Sequence, residues 1–123
     1  MRCLIVDDSP EFLDAARRLL RQQGMEVVGV ASTGDDAVRL AGVLRPDVTL
    51  IDIDLNGEDG FAVARRLAEV DGHGGQLVFI STYAEEEFAE LVESSPAIGF
   101  VSKSSLSAAA IDQVTRRGRQ ASG

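Results

Sequence analysis

Cysteine, tryptophan and long hydrophobic runs are the features that this sequence lacks or nearly lacks. Its 123 residues include one cysteine and no tryptophan, so an internal disulfide bond is excluded. No uninterrupted apolar stretch approaches the roughly 20 residues that a membrane helix needs, and the amino terminus does not have the layout of a signal peptide. We therefore expect a cytoplasmic chain that makes no contact with a membrane.

Basic residues are also scarce. The chain has 12 lysine and arginine residues against 20 aspartate and glutamate residues, which gives a formal net charge of −8. Because attraction to phosphate groups dominates binding to nucleic acids, we do not expect so acidic a chain to bind them directly. Basic partner surfaces fit this charge better.

The single cysteine and the single histidine are both interpreted as residues without a chemical role. Cys3 lies in the apolar run Cys3-Leu4-Ile5-Val6, which predicts a buried thiol without a reactive role. His73, the only histidine, lies alone in the glycine-rich segment 71–75. We interpret it as a solvated loop residue and assign it no role.

Five short apolar runs predict the strands of the fold. They are rich in β-branched or aromatic residues and are apolar at nearly every position, which is typical of parallel strands covered on both faces. The runs are Cys3–Val6, Met25–Val30, Val48–Ile51, Leu77–Ile80 and Ile98–Val101.

Amphipathic segments between and after these runs predict five helices. Ser9 is a candidate cap for the first helix, Thr33 and Asp36 have the spacing of a capping box, and Arg45-Pro46 is expected to end the second helix. The predicted helices are Pro10–Gln23, Thr33–Leu44, Gly60–Val70, Ala84–Glu93 and Ser105–Arg117.

The alternation of strands and helices predicts the fold class. With 45% hydrophobic and 26% charged residues, a chain of 123 residues has the size and composition of one globular domain. Five βα units in series with short connections predict an α/β fold with a parallel sheet and right-handed crossovers. In the sheet order 2-1-3-4-5, ligands bind beyond the carboxyl ends of strands 1 and 3.

Charged or hydroxyl side chains follow four of the five predicted strands. Asp7 and Asp8 follow strand 1, and Asp52 follows strand 3. Ser81 follows strand 4, and Lys103 comes shortly after strand 5. Because the carboxyl ends of parallel strands lie at one edge of the sheet, we expect the three aspartates to converge there.

Three carboxylates in one pocket repel one another, and a pair about 5 Å apart costs roughly 3 kcal/mol at an effective dielectric constant near 20. A divalent cation, Lys103 or a raised carboxyl pKa can each offset this repulsion. A set of oxygen ligands favours Mg²⁺ or Mn²⁺ over zinc. The alternative is a group of helix caps, in which Asp8 or Ser9 caps the first helix and Asp59 the third, but capping leaves Asp52 and Lys103 without a role.

At these positions the chain resembles the response regulator receiver domains of two-component signalling. The resemblance covers essentially the whole chain and rests on four elements in the right order. These are Asp7-Asp8, Asp47–Gly60, Ile80-Ser81 and Gly99–Lys103. It implies a flavodoxin-like (βα)5 fold, doubly wound, with a receiver domain over residues 1–118 and a C-terminal tail over residues 119–123.

The resemblance also implies a metal site. By this resemblance Asp52 is the phosphoacceptor, Asp8 binds Mg²⁺ directly, and Asp7 helps through a water molecule. The backbone carbonyl of Asp54 completes the implied protein ligands. We expect the domain to catalyse only its own phosphotransfer and dephosphorylation, and so not to be an enzyme acting on other substrates.

The resemblance also implies which residues pass the signal on to a partner. Ser81 and Lys103 are expected to hold the phosphoryl oxygens, and Phe100 takes the position of the aromatic switch residue. The implied phosphodonor is a sensor histidine kinase or a phosphotransfer protein. The acidic fourth helix favours a basic partner, and a second copy of the chain is a candidate that would give a homodimer on phosphorylation.

Three residues depart from the family pattern. Asn56 replaces the usual proline and is expected to loosen its loop, and Thr82 replaces a smaller residue and is expected to crowd the entry to Asp52. Ser104 replaces the proline that often follows the lysine. Since a cis bond before a residue other than proline costs about 3 kcal/mol, we predict a trans Lys103–Ser104 bond.

Two rival functions remain open from the sequence alone. Asp52-Ile53-Asp54 is an Asp-x-Asp motif of the kind found in haloacid dehalogenase-type phosphohydrolases, although such a motif belongs on the first strand of a larger domain. A binding module that works on the same fold without phosphorylation is the second. Phosphate release from generic phosphoesters favours the first rival, and failure of Asp52 to accept phosphate favours the second.

Overall fold

The structure is a computed structural model, and it describes residues 1–70, 75–83 and 85–122. His73 lies outside the described residues. The strands of the main sheet are β1 (Arg2–Val6), β2 (Glu26–Ala31), β3 (Val48–Asp52), β4 (Gln76–Ser81) and β5 (Gly99–Ser102). The helices are α1 (Pro10–Gln22), α2 (Gly34–Leu44), α3 (Gly60–Glu69), α4 (Ala89–Glu93) and α5 (Ala108–Ser122).

The main sheet has the order β2-β1-β3-β4-β5, and all of its strand pairs are parallel. The predicted order 2-1-3-4-5 is therefore confirmed. The sheet places β1 beside β3, so the residues that follow these two strands emerge next to each other. Among the described helices, none has the length and apolar character needed to span a membrane.

Alternate residues of the strands supply two separate cores, one on each face of the sheet. Leu4 and Val6 of β1 face a cluster that includes Phe61 of α3. Cys3 and Ile5 of the same strand join a cluster on the opposite face. This double burial explains why the strands are apolar at nearly every position, because both faces are covered by helices.

Local sequence signals fix the ends of the first two helices. The Ser9 hydroxyl accepts the backbone N–H of Phe12 at 3.2 Å, and the Thr33 hydroxyl accepts that of Asp36 at 3.1 Å. Each bond satisfies one of the N–H groups that a helix start leaves without a partner. Arg45 ends α2 in the left-handed conformation with φ of 48°. The predicted cap by Ser9 and the predicted stop are confirmed, and Thr33 caps α2. The Asp36 side chain accepts a hydrogen bond from Arg39 at 3.4 Å, so the described residues show only the Thr33 half of the capping box.

The fourth and fifth helices differ from their predicted bounds. Glu85–Glu87 form a 3₁₀ turn, and the α-helix begins only at Ala89. Like charges at Glu86 and Glu90, four residues apart, disfavour a longer helix, and no side chain caps the start of α4. Lys103–Ser105 also form a 3₁₀ turn. The start of α5 falls at Ala108 because the Ser107 hydroxyl accepts the N–H of Ala110 at 3.0 Å.

A short hairpin follows β3 and leads into α3. Asp54–Leu55 pairs antiparallel with Glu58–Asp59, and the two connecting residues both have positive φ, 50° at Asn56 and 89° at Gly57. Two such residues make the turn type that matches the twist of a hairpin. Asn56 forms a turn that proline, fixed at φ near −65°, cannot adopt, and its expected loosening of the loop stays a prediction. The predicted trans Lys103–Ser104 bond is confirmed, because the described residues contain no cis peptide.

Cys3 should be unreactive in the folded protein. It is completely buried, and burial raises the pKa of its thiol to about 12, so almost no thiolate forms at neutral pH. We predict that iodoacetamide leaves native Cys3 unmodified and labels it fully in urea, as mass spectrometry can measure. A Val43→Cys variant serves as the control, because Val43 is 72% exposed and a thiol there should react rapidly without denaturant. Labelling of Cys3 as fast as that of the exposed thiol would contradict this placement.

Gly60 is predicted to tolerate no side chain. A Cβ atom built there would lie 2.2 Å from the Asp52 carbonyl oxygen and 2.8 Å from two backbone atoms of Ile53. Overpacking usually costs about 1–3 kcal/mol. Gly60→Ala should therefore lower the free energy of unfolding by that amount or more. Gly42 is the matched control, since it lies exposed in α2 with open space around it.

Gly42→Ala should raise the free energy of unfolding by about 0.5–1 kcal/mol, because alanine is the better helix former. Urea unfolding of the two variants gives both values. Equal stabilities for Gly60→Ala and Gly42→Ala would contradict the close approach of α3 to the end of β3.

Candidate functional site

Three aspartates meet where β1 and β3 end. Asp7 and Asp8 directly follow β1, and Asp52 is the last residue of β3. One carboxylate oxygen from each residue lies within 4.8 Å of the other two. Asp7 is completely buried, Asp52 is 7% exposed and Asp8 is half-buried. The predicted convergence of these residues is present in the structure.

Lys103 reaches the same cluster from the edge strand β5. Its Nζ lies 2.9 Å from Oδ2 of Asp52, to which it donates a hydrogen bond, and 2.6 Å from Oδ2 of Asp7. The contact with Asp7 is an ion pair without hydrogen-bond alignment, since Asp7 Oδ2 is buried and has no hydrogen-bond partner. The ammonium therefore lies between two carboxylates and contacts one oxygen atom of each.

Burial and charge act against each other on this ion pair. Burial raises the pKa of Asp52, and it outweighs the hydrogen bonds from Lys103 and from the Asp54 backbone, which lower it. Burial alone would lower the pKa of Lys103, but its contacts with Asp7 and Asp52 more than compensate and raise it. Lys103 thus stays protonated at neutral pH. Three ionised carboxylates beside one ammonium would leave an excess negative charge that favours a further cation.

Ser81 follows the residue of β4 that pairs with Asp52, and Asp54 contacts Asp52 from the segment after β3. Ser81 ends β4, is almost fully buried, and its hydroxyl oxygen accepts the backbone N–H of Tyr83 at 3.0 Å. Its hydroxyl hydrogen remains available to donate. Asp54 donates its backbone N–H to Oδ1 of Asp52 at 3.1 Å, while its side chain is exposed. The structure therefore brings Asp54 to the site through its backbone, and the ligand role of its carbonyl stays a prediction.

Helix capping accounts for only part of the cluster. Ser9 caps α1, and Asp59 caps α3 by accepting the N–H of Phe61 at 2.9 Å. Oδ1 of Asp7 accepts the N–H of Ser9 at 2.9 Å, which braces the same turn. Capping gives no role to the hydrogen bond between Lys103 and Asp52. The capping alternative is thus insufficient for the group as a whole.

Two residues that the sequence did not single out also contact the site or its loops. The Phe12 ring centroid lies 4.3 Å from Lys103 Nζ. Glu58 accepts the backbone N–H of Gly34 at 2.9 Å, which ties the hairpin after β3 to the start of α2. No local sequence pattern predicts either contact, because the partners lie far apart in the sequence and meet only in the folded chain.

A cavity of about 490 Å³ opens beside the aspartates. Its lining includes Asp8, Thr33 and Glu58, together with the Asn56-Gly57 turn. A larger cavity of about 600 Å³ lies around Met1 and Asp47 at the opposite edge of the sheet. We assign the chemistry to the side of the smaller cavity, since its lining includes Asp8, which belongs to the cluster of three carboxylates found among the described residues.

The sequence and the fold both match known proteins. The model of the response regulator receiver domain matches residues 3–115. The DNA-binding transcriptional activator EvgA of Escherichia coli (strain K12) is 30% identical over 103 residues, which cover 84% of this chain and 50% of that protein. The positive alginate biosynthesis regulatory protein of Pseudomonas aeruginosa is 37% identical over 105 residues, which cover 84% of this chain and 41% of that protein.

A solved structure agrees with the sequence relatives. The two-component response regulator of the LuxR family from Aurantimonas sp. SI85-9A1 superposes with a TM-score of 0.81 at 28% identity, and the match covers 97% of this chain and 85% of that chain. The present chain spans half or less of the length of the two curated relatives. Because the family model matches most of the chain, the chain belongs to the response regulator receiver domain family.

Proposed function

We propose that Asp52 is the residue that accepts a phosphoryl group, from a sensor histidine kinase or a phosphotransfer protein. The observation that carries this proposal is the hydrogen bond between Lys103 and Asp52 at the end of β3, with Asp7 and Asp8 close by. Receiver domains of two-component systems are phosphoacceptor signalling domains. Asp52 is the last residue of β3 and accepts a hydrogen bond from Lys103, whereas Asp7, completely buried, is held by an ion pair with the same lysine.

The residues present fit a bound Mg²⁺ ion. Asp7, Asp8 and Asp52 offer the hard oxygen ligands that Mg²⁺ prefers, and the buried Oδ2 of Asp7 has no hydrogen-bond partner. We propose Asp8, Asp52 and the Asp54 carbonyl as its direct protein ligands, with Asp7 acting through a water molecule. When bound, Mg²⁺ would neutralise negative charge on the transferring oxygen atoms.

Asp52 supplies the nucleophile. A carboxylate oxygen attacks the phosphorus of the phosphohistidine donor, a P–O bond forms as the P–N bond breaks, and the electron pair of that bond leaves with the imidazole. Lys103 places positive charge beside the oxygen atoms of the incoming group, since its ammonium already lies 2.9 Å from Asp52. The product is an acyl phosphate that water can hydrolyse, and we propose that the domain catalyses only these two steps.

Ser81 connects the chemistry to the output surface. Its hydroxyl can donate to a phosphoryl oxygen on Asp52 and move toward it, which alters the packing beside β4. Phe100 pairs with Phe79 across β4 and β5, and it is 8% exposed in the core on the α3 side of the sheet. We propose that its rotation carries the signal to partners of the receiver, which spans residues 1–118, including a second copy of the chain in a homodimer.

Labelling by a small phosphodonor tests the acceptor. With Mg²⁺ and acetyl phosphate, the wild-type chain should gain one phosphoryl group, and Asp52→Asn should gain none, because an amide is not a nucleophile for this reaction. Mass spectrometry of the intact protein measures both. Asp54→Asn is the matched control, since its side chain is exposed and its backbone contact with Asp52 is retained.

Two results would contradict this assignment. Labelling of Asp52→Asn would show that another residue is the acceptor, and labelling that persists in excess chelator would remove the role of the metal. Failure of the wild-type chain to gain any phosphoryl group would favour the rival binding module. Steady release of phosphate from generic phosphoesters would favour the phosphohydrolase.

Thermal unfolding should show how much the buried negative charge of the acidic cluster lowers the melting temperature. In chelator, Asp52→Asn should melt a few degrees above the wild type, because burial disfavours the ionised carboxylate that the amide replaces. Added Mg²⁺ should raise the melting temperature of the wild type, since a ligand that binds only the folded state stabilises it.

The variant should gain less from Mg²⁺ than the wild type, because it has lost one charged ligand. Asp54→Asn, whose exposed side chain makes no contact with the cluster in the structure, should respond to Mg²⁺ as the wild type does. An equal Mg²⁺ response in wild type and Asp52→Asn would place the metal outside this cluster. Differential scanning calorimetry with and without the metal measures these shifts.

A further inference from the structure

We propose that Phe12 is a positioning residue that holds the Lys103 ammonium in the acidic site through a cation–π contact. The ammonium nitrogen lies 4.3 Å from the centroid of the Phe12 ring. Contacts of a cation with an aromatic face are attractive within about 6 Å of the centroid. This inference rests on the proposed role of Lys103 in phosphoryl transfer, and it adds a residue that the resemblance did not assign.

The position of the ring is set by the same turn that holds Asp7. Oδ1 of Asp7 accepts the N–H of Ser9 at 2.9 Å, and the Ser9 hydroxyl accepts the N–H of Phe12 at 3.2 Å. Lys103 contacts both the Phe12 ring and Oδ2 of Asp7, so the two ends of this hydrogen-bonded segment meet at the same ammonium group. The ring and the carboxylate therefore reach the ammonium from one hydrogen-bonded turn between β1 and α1.

A contact with an aromatic face can add to the two carboxylates because the Lys103 side chain is largely removed from water. The side chain is 14% exposed, and the two carboxylates that face the ammonium belong to Asp7 and Asp52. An aromatic face offers negative electrostatic potential where an aliphatic side chain offers none. The contact also strengthens as water is excluded from it.

Plain packing is the competing explanation. Phe12 is partly buried and packs against the core on the α1 side of the sheet, as an aliphatic residue could also do. The two explanations differ in what Phe12→Leu changes. Loss of packing affects the protein whether or not Lys103 is charged, whereas loss of a cation–π contact requires the charge.

A double-mutant cycle in the metal-free protein separates them. Lys103→Met keeps the aliphatic stem and removes the charge. Phe12→Leu should lower the folding equilibrium constant about two- to fivefold more in the wild-type background than in Lys103→Met, the range expected for one such contact. Urea unfolding measures all four proteins. A coupling of zero overturns the proposal, and Phe12→Met replaces Phe12→Leu if the latter does not fold.

Phe88 offers the control for aromatic substitution in general. It is partly buried, and its ring lies 5.9 Å from that of Tyr83 and 6.4 Å from that of Phe61. Phe88→Leu should show no coupling with Lys103→Met. A coupling as large as that of Phe12 would mean that the cycle reports on the fold rather than on the contact, and would overturn the proposal.

An aromatic replacement of Phe12 and the NMR signals of Lys103 provide two further tests. Phe12→Trp retains an aromatic face and should keep phosphorylation by acetyl phosphate near the wild-type rate, while Phe12→Leu should slow it several-fold. The side-chain methylene signals of Lys103 in NMR spectra should carry an aromatic ring-current shift that Phe12→Leu removes. Equal rates for the leucine and tryptophan variants together with an unchanged Lys103 signal would refute the proposal.

The outcomes also distinguish this inference from the proposed function. If Asp52 is labelled normally and the cycle shows no coupling, only the role of Phe12 fails. If the cycle shows coupling and Asp52 is not labelled, the contact is real but the assignment of the acceptor is wrong.

Discussion

The balance of charge at the ends of β1 and β3 is the constraint on which the rest of this site depends. Three carboxylates gather there, two of them nearly removed from water, and one ammonium bridges Asp7 and Asp52. Such a group is stable only because the sheet and the turn before α1 hold it in place. In the function that we propose, the same residual negative charge that destabilises the fold prepares the site for a metal ion and for phosphoryl chemistry.

The fold and the main site are predictable from the sequence because their signals are local. Each strand is a short apolar run, and in a parallel sheet the residue after each run must emerge at one edge, so the sequence alone groups Asp7, Asp8 and Asp52. The bounds of α4 are not predictable in this way, because its glutamates oppose a helix that the apolar pattern favours. The start of α5 is ambiguous in the sequence because two serines compete for the cap, and Ser107 holds it.

The unpredicted contacts share a different physical cause. Phe12 meets Lys103, and Glu58 meets Gly34, only after helices and loops have packed. Nothing in the spacing of these residues distinguishes them from ordinary amphipathic positions. The turn at Asn56 is also not predicted, since the absence of a proline there does not by itself indicate a turn with positive φ.

The place of Lys103 in the chain has a consequence for how the protein assembles. The lysine follows the last of the five sheet strands along the chain, and its hydrogen bond to Asp52 joins residues 51 positions apart. Closing so long a loop carries an entropic cost that the final contacts must offset. Until β5 docks, the aspartates face one another without their cation, so the site comes into existence only when the whole domain has folded. A sheet without β5 would carry Asp52 and still lack the lysine that pairs with it.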